Sequence, residues 1–178
     1  MSIAYVAGFI VGVLCVALVF TIIGIIWRKK HGTKYGTYDE RQILARGSAY
    51  KTGFFILMTY EVLTGMISLA TGWQLFADEF TGSCIGIIIA ATAFAVQCIV
   101  KDAYCSLSEN AKSVTILFLA IAGLNMAVAV WNIKDGESFL TDGRLNFHSL
   151  NLLVVVMMFV IAIANLVKMQ DDKKEAGE

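Results

Sequence analysis

Apolar residues gather into five blocks, each 18 residues or longer: Ile3 to Trp27, Thr52 to Gln74, Ser83 to Val100, Ser113 to Trp131 and Leu150 to Val167. As helices, all five are long enough to cross a hydrocarbon core of about 30 Å. Open sheets cannot satisfy their backbone in lipid, and the alternation of a membrane barrel is missing, so the fold class is all-α. The expectation is one integral membrane domain over residues 1–178, a polytopic transmembrane helical bundle of five spans. Connections are short, which predicts that successive spans pack as antiparallel neighbours. No basic residue precedes the first block, no small-residue cleavage site stands out, and the block exceeds a signal-peptide core, so it reads as a retained span.

The polar stretches between blocks set the threading. Between the first two blocks lie Arg28, Lys29, Lys30, Lys34, Arg41, Arg46 and Lys51. Lys101 and Lys112 follow the third block, and Lys168, Lys173 and Lys174 follow the fifth. All twelve fall on one side; only Lys134 and Arg144 fall on the other. Lys and Arg favour the cytoplasmic face, so the N-terminus is expected outside and the C-terminus in the cytoplasm of a cell that inserts the chain in its plasma (inner) membrane. The longest external loop, about 132–149, carries Asp135-Gly136 and Asp142-Gly143, and the run between these turn pairs suits a small hairpin. The last eight residues read as a frayed tail.

Composition supports this reading. The 178 residues are 58% hydrophobic and 16% charged, with mean hydropathy +0.72; a soluble domain carries about 25% charged residues. Net charge is zero, which leaves no bulk electrostatic case for nucleic acid. Cys15, Cys84, Cys98 and Cys105 show no metal or redox spacing and read as small buried thiols, with Cys105 a candidate for acylation. His31 and His148 belong to opposite faces, and Asp135, Glu137 and Asp142 lack calcium-loop spacing. No metal or cofactor is expected.

Two features carry candidate chemistry. The first is a neck at about 37–51, where Thr37 and Glu40 fit a capping box and Ile43, Gly47, Tyr50 and Phe54 recur at helical spacing. It predicts an interfacial amphipathic helix that bends or runs straight into the second span. Arg28, Lys29, Lys30, Arg41, Arg46 and Lys51 would meet anionic lipid headgroups at the cytoplasmic face, or a protein partner; the simpler alternative is that they only set topology. The second feature is Glu61, the one acid inside the second block, which costs roughly 2.5–3.5 kcal/mol at the bilayer centre if ionised. It is expected to be protonated or to reach water, with Thr92 and Asn125 as hydrogen-bond partners at similar depth. Glu61 is either a proton or cation site or a neutral interhelical hydrogen bond.

The run Tyr38-Asp39-Glu40-Arg41-Gln42, followed by Ala45-Arg46-Gly47, Ala49-Tyr50-Lys51 and Gly53-Phe54, resembles a motif of small multi-pass bacterial membrane proteins. The likeness covers about residues 37–60 and implies a bacterial plasma-membrane protein, with no activity attached. Elsewhere, Gly8 with Gly12, and Gly82 with Gly86, predict close helix crossings, within the chain or in a homo-oligomer. No nucleophile–base pair or phosphate loop stands out, and proline is absent, so the helix breaks of many transporters would rest on glycine alone. A non-catalytic accessory, regulatory or structural role through protein or lipid contacts is the leading expectation, and a small proton-linked transporter or channel centred on Glu61 is the alternative.

Overall fold

The computed structural model describes residues 38–107, 109–175 and 177. The chain divides into two units, Met1–Tyr35 and Gly36–Glu178, and the described residues all belong to the second. The expected first span lies outside them, together with Gly8, Gly12, Cys15, Arg28, Lys29, Lys30, His31 and Thr37.

Four helices make up the second unit: α1 (Glu40–Thr71), α2 (Glu79–Val100), α3 (Ala111–Lys134) and α4 (Ser149–Glu175). All four are long and apolar enough to cross a membrane. A two-stranded hairpin, β1 (Leu140–Thr141) and β2 (Arg144–Leu145), sits between α3 and α4. Apart from that four-residue hairpin, the regular secondary structure of the described residues is all helical.

Neck and second block form one continuous helix, with no break between them. At about 1.5 Å per residue its 32 residues reach about 48 Å, well beyond a 30 Å hydrocarbon core. The cap lies at Asp39 instead of Thr37: Asp39 Oδ1 accepts from Gln42 N at 2.6 Å, and Gln42 Oε1 accepts from Asp39 N at 3.2 Å. This is the reciprocal box shifted by two residues, with an amide in the place expected for Glu40. Gly72, at φ +66°, ends the helix, and its N–H returns to Ser68 O at 2.9 Å. Asp78 caps α2 by accepting from the Thr81 N–H (2.8 Å) and hydroxyl (2.7 Å), which starts that helix four residues before Ser83.

Packing runs in the order α1, α2, α4, α3. Helix α2 packs on α1 and on α4, and α4 packs on α3. Strict neighbour-to-neighbour packing was expected, but the ten-residue connection 101–110 is long enough to step past a helix about 10 Å wide, so α4 becomes the main second partner of α2. The buried cluster Ala95, Ile99, Phe118, Ile161 and Ala162 joins α2, α3 and α4 beneath that connection. Outward faces stay apolar: Leu69 is 90% exposed and Leu124 69%, a surface suited to lipid and not to water.

Two local expectations change. The tail is helical to Glu175, with Lys168 paired to Asp172 at 2.7 Å and Lys174 to Asp171 at 3.5 Å. Lysines in the last turn also complement the helix dipole, which extends a segment that composition alone marks as frayed. In the hairpin, Asp142-Gly143 is the turn itself, at φ +50° and +75°, and Leu140 faces Leu145 across it. Two consecutive positive-φ residues fit a two-residue type I′ turn. Asp135-Gly136 instead closes α3, with Gly136 N donating to Ile133 O at 3.1 Å and Trp131 Nε1 to Asp135 Oδ2 at 2.6 Å.

Candidate functional site

The start of α1, the end of α2, the start of α3 and the end of α4 meet at one end of the unit, and the polar residues of the Tyr38–Gln42 run converge there. Gln42 is only 6% exposed, and its amide donates to Asp102 O at 2.7 Å and Cys105 O at 3.2 Å. Arg46 reaches the same connection, donating to Ala103 O at 3.0 Å and Tyr104 O at 3.4 Å. Its guanidinium lies 4.4 Å from the centroid of the Tyr38 ring and 6.0 Å from that of Phe94. A fixed planar fork that also favours aromatic faces explains why arginine suits this position. Arg46 therefore points into the protein, away from the lipid or partner contact expected of it.

Asp102 is the hub of this end. Helix α2 closes with Ala103 N donating to Cys98 O at 2.7 Å and Asp102 N to Ile99 O at 3.1 Å, the Schellman pattern. Asp102 takes the left-handed position, φ +54°, that glycine fills in most such caps. A side chain is then available there, and it pairs with Arg41 at 3.5 Å and Lys168 at 3.1 Å. One carboxylate thus ties α1 to α4, which share no extensive packing. Hydrogen bonds to Asp172 and Asp102 push the Lys168 ammonium up to about 12. Its contribution to stability is complete below the ordinary lysine range and is lost only as pH rises through about 12. Burial, then the Glu109 carboxylate, push the Cys105 thiol up, so the candidate acylation site is a poor nucleophile at neutral pH. Deeper in, Asn165 of α4 donates to Ala111 O at 3.0 Å and Thr115 Oγ1 at 2.7 Å of α3, so this buried amide is satisfied.

Nearer the opposite end, Glu61 lines a pocket of about 280 Å³ between α1, its connection to α2, and α2 itself. Ser68, Gln74, Asp78, Glu79 and Ser83 share its wall. Neither Thr92 nor Asn125 does. Thr92 donates to Ile88 O at 2.7 Å and Asn125 to Ile121 O at 2.9 Å, each within its own helix. Four-back bonding of this kind turns the Thr92 hydroxyl proton and one Asn125 N–H back onto their own helices. Gly82, in the pocket wall, and Gly86, one turn further along α2, face aromatic rings: a Cβ on Gly86 would lie 2.5 Å from the Tyr60 ring, and one on Gly82 2.9 Å from Phe76.

Lys51 is exposed on α1 and Arg41 is exposed beside Asp102. Sequence reasoning missed Asp102, Gln42, Lys168 and Asn165 as organising residues. A polar residue directly after a span that lacks a C-terminal glycine was the available signal for Asp102. Among the described residues no group of three or more His, Cys, Asp or Glu could hold a metal ion. Comparison with family models, with curated proteins and with solved structures gives no match.

Proposed function

We propose a five-span integral protein of the bacterial inner membrane, N-terminus outside and C-terminus cytoplasmic, that acts without catalysis through contacts with lipid or with membrane proteins, a second copy included. Its role is accessory, regulatory or structural. The observation that carries this reading is the use made of the Tyr38–Gln42 run and Arg46: they fasten the connection 101–110 to α1 and give the chain a fixed polar end under apolar outer faces. Of the ten Lys and Arg among the described residues, only Lys134 and Arg144 belong to the opposite end, and this asymmetry supports the cytoplasmic assignment. Gln42, Arg46 and Asp102 are builders of that surface, and Arg41 and Lys51 are its outward cations.

A second reading, proton-linked transport centred on Glu61, is favoured by one observation: that carboxyl opens onto a pocket shared with Asp78 and Glu79. One comparison separates the two. Purified protein in liposomes under an imposed potential reports proton flux by an internal pH dye, and native membranes resolved on non-denaturing gels report assemblies. The contact reading expects no flux above empty liposomes and a complex larger than the monomer. Flux that Glu61→Gln abolishes would establish transport instead; a monomer with no flux that also retains no lipid would sink both.

A further inference from the structure

A second cavity, about 630 Å³, runs along one face of α1. Its wall is chemically graded. Ser48, Lys51 and Thr52 stand at the basic end, and Phe55, Ile56, Thr59 and Leu63 continue it along the helix. From Ser48 to Leu63 the helix rises about 22 Å, against about 15 Å for the hydrocarbon of one leaflet. The groove is thus long enough to take an acyl chain along its full length.

The polar end is arranged for an anion. Lys101, arriving from the end of α2, donates to Ser48 Oγ at 3.2 Å, and Gln97 donates to the same oxygen at 3.4 Å. A hydroxyl that accepts twice keeps its own proton to give. Lys51 stands one helical turn beyond Ser48 on the same wall, and among the described residues no carboxylate lines the groove. Two ammonium groups and a directed hydroxyl above an apolar trough complement a phosphodiester joined to fatty chains. We infer that this groove holds one anionic glycerophospholipid of the cytoplasmic leaflet, its phosphate at Ser48, Lys51 and Lys101 and one acyl chain beside Phe55, Ile56 and Leu63. This rests on the membrane reading above and deepens it, because it turns a general affinity for anionic headgroups into a single defined site.

Native mass spectrometry of the full chain, purified in mild detergent and supplied with phosphatidylglycerol or phosphatidylcholine, tests it. One phosphatidylglycerol should stay bound, with phosphatidylcholine retained at least tenfold less. Lys51→Ala with Lys101→Ala should lower retention about tenfold. Thr59→Trp, which fills the trough and leaves both lysines in place, should do the same. Lys173→Ala with Lys174→Ala should change nothing. Equal retention of the two lipids, or unchanged retention in both groove variants, overturns the site. Carbonate extraction of membranes checks the underlying reading separately: a chain released into the wash refutes membrane insertion, whereas an embedded chain that keeps no lipid refutes only the groove.

Discussion

Gln42 shows how much one buried amide can do. Its oxygen closes the cap of α1 while its nitrogen holds two carbonyls of the connection 101–110, about sixty residues away. Leucine would fill similar space but leave the Asp39 N–H and both carbonyls without this partner. The Asp39 carboxylate still caps the residue-42 N–H, so what is lost is the returning hydrogen bond, about 1 kcal/mol, together with buried acceptors left unpaired, about 1–3 kcal/mol. Gln42→Leu should therefore lower stability by about 2–3 kcal/mol, read as loss of helicity in a detergent denaturation series. A change below about 0.5 kcal/mol would mean that the amide is not needed for the lock. Sequence showed that a cap lay near here but not which acid made it, because Thr37, Asp39 and Glu40 all suit a first turn. It also showed Arg46 only as a cation. Its inward turn depends on Tyr38 and Phe94, and Phe94 comes from another helix.

Among elements, the contact of α1 with α2 is set by what glycine leaves out. Tyr60 lies across Gly86 and sends its hydroxyl to Gly82 O at 2.9 Å, while Gly53 brings α1 within 3.3 Å of Ala90 O, measured from where a Cβ would stand. Small residues allow this approach, which matters where lipid supplies no hydrophobic drive between helices. Gly86→Ala would place a methyl group 2.5 Å from the ring and force it aside, breaking the hydroxyl's bond. A loss of about 1–3 kcal/mol is expected. Combined with Tyr60→Ala, the double variant should be more stable than the two separate losses predict, by at least about 1 kcal/mol. Strict additivity would show that ring and glycine do not meet. The existence of the four helices was legible from hydrophobic blocks alone. Their true ends were not, since Asp39, Asp78 and Asn110 cap outside the apolar runs and Lys168 and Asp172 carry α4 past its own.

At the scale of the whole molecule, the described helices place connections at two chemically distinct ends. One is fastened by charge: Asp102 with Arg41 and Lys168, and Arg46 on backbone carbonyls. The other is fastened by the backbone bond from Ala77 N to Leu145 O, 2.9 Å, and by the Phe80 and Phe147 rings, 6.1 Å apart. A basic end and an aromatic end separated by apolar helices suit a membrane whose cytoplasmic side retains Lys and Arg and whose interfaces hold aromatic rings. Sequence carried that asymmetry in plain view. It could not carry the packing order, because α4 lies beside α2 through contacts that no local pattern encodes. The proposed orientation makes a direct prediction for intact cells. In a chain freed of its native cysteines, a cysteine replacing Ser138 in the hairpin loop should react with a membrane-impermeant maleimide without lysis. One replacing Lys173 should react only after the membrane is opened. The reverse pattern would invert the protein and move the Asp102 hub outside. Reaction of both positions in intact cells would mean an even number of crossings between them, and so would remove α4 as a span while leaving the fold of the unit as it stands.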